Sequence, residues 1–299
     1  MPNLNVPLPV ARVIARAGLG SILNTKLSWS RQRALVRLAA RTIPLPPRTE
    51  TTSLVLGGRP AEQVTVGRPG KGSVVLYLHG GGFTVASIAS HRSLAAGIAQ
   101  RTGGAVYVLD YRLAPEYPFP AAVDDAVAAF AYLVDVLGHS PERIALAGDS
   151  AGGNLALVTA RRVIDERGQR PAALALISPW ADPGAVLPAK RDTLLNAPWL
   201  HACAAAYLGD ADPTDTRFAP LHGDLSGLPP TIVQIGTTEL FYAQVKRLAE
   251  GIEAAGGEVT LQEYPKLWHV AQLQASQVRE AAEAVDEIGR FLRARLDAV

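Results

Sequence analysis

The chain has 299 residues, 48% hydrophobic and 19% charged. That balance supports a large buried core and excludes a disordered chain. Its 29 basic and 27 acidic residues give a net charge of +2, too small a bias to point to nucleic acid as a partner.

Residues 1–48 read as helical and strongly basic. Ser30 is the expected N-cap of a helix over Arg31 to Thr42, with Leu35, Leu38 and Ala39 on one apolar stripe. No acidic residue precedes Glu50, whereas Arg12, Arg16, Lys26, Arg31, Arg33, Arg37, Arg41 and Arg48 do. The remainder holds 21 basic against 27 acidic residues. A segment of this kind can touch an anionic membrane, but the favoured expectation is that its arginines pair with acids elsewhere on the molecule. The apolar stretch from Val10 to Leu23 is broken by Arg12 and Arg16, so it does not read as a secretory signal. No run reaches the ~18 apolar residues of a membrane span. A cytoplasmic location is expected.

Ile43-Pro44-Leu45-Pro46-Pro47 ends the helical part. Strands are then expected over Thr51–Leu56 and Gln63–Val66, joined across Gly57-Gly58, and over Ser73–Leu78, Val106–Leu109, Ile144–Ala147, Leu174–Ile177, Thr231–Ile235 and Val259–Tyr264. Helices are expected over His91–Arg101, Ala121–Leu137, Gly152–Glu166, from the Thr231 strand through Ala255, and Ser276–Leu296. Such alternation predicts an α/β fold: an eight-stranded, mostly parallel sheet flanked by helices. Trp180 to Leu228 breaks the alternation. It holds Pro183, Pro188, Pro198, Pro213 and Pro220 and one short helical stretch, Trp199–Tyr207. It is too long for a simple loop and reads as an inserted cap. The organisation is therefore 1–48 and 180–228 as cap, with 49–179 and 229–299 as the two parts of the core.

Gly148-Asp149-Ser150-Ala151-Gly152 lies between an expected strand and helix, the setting of a G-x-S-x-G nucleophile elbow. Ser150 is the candidate nucleophile. His79-Gly80-Gly81-Gly82 ends the strand Ser73–Leu78. Its N–H groups can approach an oxyanion without side chains in the way, so Gly81, Gly82 and Ala151 are the expected oxyanion hole. His79, Gly80 and Asp149 support it. Chain order for this elbow is Ser, acid, His. His269 follows the last strand and is the candidate base. Glu239, in Gly236-Thr237-Thr238-Glu239, is the first acid after the preceding strand and the candidate third member. Cys203, the only cysteine, cannot form an intrachain disulfide and reads as core.

With His79-Gly80-Gly81-Gly82-Phe83, Asp110-Tyr111-Arg112-Leu113-Ala114-Pro115-Glu116 and Gly148-Asp149-Ser150-Ala151-Gly152-Gly153-Asn154, the chain resembles the bacterial hormone-sensitive-lipase-like family (GDSAG type) of α/β-hydrolase carboxylesterases. The resemblance implies an α/β-hydrolase fold with a helical cap and hydrolysis of short- or medium-chain acyl esters, with no metal and no organic cofactor. It also implies that Arg112 and Glu116 hold a turn near the glycine loop. The sequence departs from the family at Glu239, where relatives often have Asp, at Ala243, where a second acid is common, at Lys266 in place of Gly, and at Ala219 in place of Ser. A lactone, carbamate or amide hydrolase would use the same three residues. A non-catalytic small-ligand receptor on this fold would lack His269, which is present. The expected partner is a small ester; a homodimer is left open. Phe83, Trp180, Trp199, Phe218, Phe241 and Trp268 are each open to a role in an apolar pocket or in the core.

Overall fold

A computed structural model describes residues 5–68, 70, 73–187 and 192–298; Pro188 of the insertion lies outside them. In chain order the elements are α1 (Leu8–Ala17), α2 (Leu19–Ile22), α3 (Trp29–Ala40), β1 (Thr49–Leu56), β2 (Arg59–Val66), β3 (Val74–Leu78), α4 (Ile88–Thr102), β4 (Ala105–Leu109), α5 (Ala121–Asp135), β5 (Ile144–Asp149), α6 (Ala151–Arg167), β6 (Ala173–Ile177), α7 (Ala197–Leu208), β7 (Thr231–Gly236), α8 (Tyr242–Ala254), β8 (Val259–Tyr264) and α9 (Arg279–Leu296).

The strands form one sheet in the order β1-β2-β4-β3-β5-β6-β7-β8. β2 pairs antiparallel with β1 and β4, and every other neighbouring pair is parallel. Strand alternation splits the core into two layers. Val74, Leu76 and Leu78 face α5, α6 and α8 through Phe130, Leu155 and Leu248. Val75 and Tyr77 face α4 and α9 through Leu94, Ile98, Val285 and Ile288. The central parallel strands are buried along their whole length, as a sheet covered on both faces requires.

Two local readings are corrected. β2 begins at Arg59, four residues before the expected start. Pro60 argues against a strand there, but the ladder with β4 starts only at Ala61, so Pro60 needs no donor toward β4. α3 is capped by Ser28, whose side chain accepts from the Arg31 N–H, and not by Ser30. Its buried positions are Gln32 and Val36, while Leu35, Leu38 and Ala39 face solvent.

Among the described residues no strand forms between β6 and β7. This excursion meets the N-terminal helices directly. The Asn196 side chain, which caps α7, also donates to the Leu23 carbonyl (2.9 Å), and the Trp199 indole N–H donates to the buried Gln32 amide (2.8 Å). No helix of the described residues is long and apolar enough to cross a membrane.

Candidate active site

Ser150 sits between the last residue of β5 and the first of α6, with φ 51° and ψ −118°. A residue with a side chain rarely adopts this conformation, and it persists only where its surroundings hold it. Its N–H donates to the Ile177 carbonyl (2.8 Å), and its carbonyl accepts from the Trp180 N–H (2.9 Å). The helix turns back so closely that a Cβ on Gly152 would stand 1.9 Å from the Leu78 carbonyl oxygen, and one on Gly148 2.2 Å from that of Gly152. The turn thus presents the hydroxyl at the carboxyl edge of the sheet, above a helix N-terminus that favours negative charge. Asn154, one turn on, donates to the carbonyls of Trp180 and Phe218 and ties the start of the insertion to the elbow.

The glycine loop lies beside it. Gly81, at φ 109°, leaves no room for a side chain, since a Cβ would meet the Val85 carbonyl oxygen at 2.3 Å. Among the described residues no acceptor engages the N–H of Gly81 or Gly82. Ala151 opens α6, where helix geometry provides no acceptor either. The three N–H groups are thus unused donors near Ser150.

His269 follows β8, and Glu239 lies in the turn between β7 and α8; both are buried. The His269 Nδ1 donates to Glu239 Oε2 (2.7 Å), while Glu239 Oε1 accepts from the Ser178 hydroxyl (2.9 Å) and the Gly236 N–H (2.6 Å). A carboxylate accepting at Nδ1 fixes the ring proton there and leaves Nε2 as an acceptor. Burial by itself lowers the His269 pKa. The hydrogen bond and charge of Glu239 outweigh it, with Asp192 and Asp149 adding to them, and the net direction is upward.

Ser150 and His269 line one cavity of about 300 Å³, together with Gly81 and Gly82. Its remaining wall is largely apolar: Leu19, Leu23 and Val36 from the N-terminal helices, and Leu194, Leu195 and Trp199 from the insertion. Of the six aromatic candidates only Trp199 and Trp268 reach it. Phe83, Trp180, Phe218 and Phe241 stack within the core. Cys203 is buried against Thr84, and burial pushes its thiol pKa up.

The supporting residues form a second buried network. The His79 Nδ1 donates to the Gly80 carbonyl (2.8 Å), and its ring stacks on Tyr111 (4.4 Å). Burial pushes the His79 pKa down to about 3, so it is a neutral brace. Asp149 accepts from the Gly80 N–H (3.0 Å) and the Tyr77 hydroxyl (2.8 Å). Arg112 pairs with Asp125 at the start of α5, whereas Glu116 pairs with Arg33 of α3, which also donates to the Thr84 carbonyl of the glycine loop. The two residues therefore hold different contacts.

Sequence reasoning missed His91. Its Nε2 meets Asp149 at 3.2 Å, and its Nδ1 meets the Ser90 hydroxyl at 2.9 Å. That hydroxyl also donates to the Ser87 carbonyl (2.7 Å) and accepts from the Ser87 N–H (3.0 Å). Both ring nitrogens are thus engaged, and the Nε2 contact holds the ring against the buried Asp149 carboxylate. Burial alone would raise the Asp149 pKa; the charge and hydrogen bond of His91, with Tyr77 and Gly80, bring it below the usual value. A histidine near the start of a helix carried no sequence signal for this, because its partner lies 58 residues away. We expect His91→Leu to destabilise the fold by about 3–5 kcal/mol, the cost of a buried charge left unpaired. Adding Asp149→Asn should recover part of it; urea unfolding of both variants checks this.

A family model described as alpha/beta hydrolase fold matches residues 75–273. The chain is 40% identical to an acetyl-hydrolase of Streptomyces hygroscopicus over 252 residues, covering 80% of this chain and 84% of that one. It is 33% identical to an esterase of Acinetobacter venetianus, with 87% of each covered. A crystal structure of an esterase from the bacterial hormone-sensitive lipase family superposes with a TM-score of 0.91 at 35% identity, covering 97% of this chain and 98% of that one.

Proposed function

The chain belongs to the bacterial hormone-sensitive-lipase-like family of α/β-hydrolase-fold esterases and is a carboxylic ester hydrolase, and from that premise we propose that Ser150, His269 and Glu239 cleave short- to medium-chain acyl esters through an acyl-enzyme. The observation that carries this reading is the tautomer of His269. Its Nδ1 proton is held by Glu239, so Nε2 is free to act as base in the cavity it shares with Ser150.

In the first step His269 Nε2 takes the Ser150 hydroxyl proton as Oγ bonds to the ester carbonyl carbon. The carbonyl oxygen becomes an oxyanion and accepts from the N–H groups of Gly81, Gly82 and Ala151. The intermediate collapses, the carbon–oxygen bond to the alcohol breaks, and the imidazolium returns its proton to the leaving alkoxide. Water repeats the sequence on the acyl-serine: His269 takes its proton, the hydroxyl attacks, and Ser150 leaves reprotonated. No step calls for a metal or an organic cofactor. Residues 1–48 and 180–228 act as a two-part cap over this chemistry.

The small cavity and the acetyl-hydrolase relative support short acyl groups. A p-nitrophenyl ester series tests this. The value of kcat/KM should be highest among short chains and fall with length, since each methylene forced against a packed wall costs about 1 kcal/mol or more. A rate rising steadily to long-chain esters would refute the assignment of acyl size.

A further inference from the structure

The N-terminal helices leave an apolar surface uncovered beside this cavity. α1 has two apolar faces. Ala11 and Ala15 are buried, while Val10, Val13, Ile14 and Ala17, spaced three and four residues apart, face solvent. Val13 is 66% exposed and Ile14 54%. α3 repeats the pattern, with Gln32 and Val36 inward and Leu35 and Leu38 outward; Leu38 is 58% exposed. Folding needs only the inward stripes. The outward ones adjoin the rim of the site, because Ile14 and Ala39 are exposed and also line the cavity that holds Ser150.

The charge around this surface has one sign. Of the eight basic residues before Glu50, Arg33 pairs with Glu116, Arg12 donates to the Lys266 carbonyl (2.6 Å), and Arg37 lies near enough to Asp110 for its charge to offset part of the burial that raises that carboxyl's pKa. Arg48 is exposed and lies against Gly67, away from these helices, and Arg16, Lys26, Arg31 and Arg41 are exposed and meet no carboxylate among the described residues. The expectation that these groups are neutralised within the molecule therefore does not hold for them. Arg16 flanks the outward stripe of α1, and Arg31 and Arg41 flank that of α3.

We propose that this face docks on an anionic phospholipid–water interface. The outward stripes of α1 and α3 enter the acyl boundary, and Arg16, Lys26, Arg31 and Arg41 meet the headgroups. Apolar esters would then pass from the interface directly to the cavity rim. This delivery role rests on the reading of Ser150 and His269, but docking is measured without catalysis.

The test is cosedimentation of the full chain with vesicles of phosphatidylcholine alone or mixed equally with phosphatidylglycerol. Wild type should partition onto the mixed vesicles, only weakly onto the neutral ones, and be released by salt. Arg16→Ala/Arg31→Ala/Arg41→Ala should lower partitioning roughly a hundredfold, at about fivefold per arginine. Val13→Ser/Leu38→Ser should lower it about tenfold or more, from two exposed apolar side chains. None of these residues lines the cavity, so hydrolysis of p-nitrophenyl acetate should be unchanged, which also reports a folded protein. Equal binding to both vesicles, no binding, or binding indifferent to both variants overturns the proposal. So does a concentration-dependent dimer, seen by sedimentation velocity, that the same substitutions dissolve, because it gives the face to a second copy. A soluble-ester rate lost with vesicle binding retained counts against the catalytic reading, not against docking.

Discussion

Ser150→Ala is expected to lower kcat on p-nitrophenyl butyrate by about 10⁵–10⁶-fold, the loss seen when the nucleophile of a serine triad is removed. Among the described residues no neighbouring group can substitute. Ser90 also lines the cavity, but its hydroxyl is held in the turn before α4 by the Ser87 carbonyl and N–H. Cys203 is buried with its thiol pKa raised, far from the thiolate form that attacks carbonyls. Unused backbone donors would sustain a residual rate about 10³–10⁴ above water. The fold should be indifferent, because alanine carries the same Cβ into the same φ and loses no structural partner. Turnover within a hundredfold of wild type, in a variant with an unchanged unfolding curve, would contradict the assignment.

Glu239→Gln should cost about 10³–10⁴-fold in kcat, in line with a triad acid made neutral. The amide has one acceptor, and the Gly236 N–H and Ser178 hydroxyl already claim the inner oxygen. Its NH₂ then faces His269 Nδ1 and forces the ring proton to Nε2, where it blocks the base. The pH profile separates this from a loss of packing. Burial lowers the His269 pKa and Glu239 more than reverses it. Since His269 must be neutral to act, wild-type kcat/KM should rise with pH through a midpoint above about 6.5, the ordinary histidine value. Removing the negative charge favours the neutral ring, so the acid limb of the variant should move to lower pH. A limb that stays in place, with activity within tenfold of wild type, would move the acid elsewhere. Asp192, whose charge also reaches His269, is the first alternative.

The features legible in the sequence were those set by local sterics. Gly148 and Gly152 flank a serine because backbone approaches within 2.2 Å of where their side chains would be, and such a demand leaves its mark on adjacent positions. The glycine loop was legible for the same reason, whereas His269 and Glu239 were found from their order after the last two strands. What escaped depends on distant partners. Arg112 meets Asp125, Glu116 meets Arg33, and His91 meets Asp149, each choice made by tertiary packing. The Leu35 and Leu38 stripe was visible, but periodicity does not say which way a stripe faces. Gln32 took the inward position because its amide bonds the Trp199 indole and the carbonyls of Asn24 and Leu27.

The central claim is that the Ser150 oxygen carries the acyl group between the two halves of the reaction. Acid-quenching the enzyme during turnover of p-nitrophenyl butyrate, followed by mass spectrometry of its peptides, tests it most directly. A butyryl group on the peptide containing Ser150, absent from Ser150→Ala and from enzyme quenched without substrate, is the predicted result. Burst-phase release of p-nitrophenol with the butyryl group on another residue, or full turnover with no acylated peptide at any quench time, would contradict it.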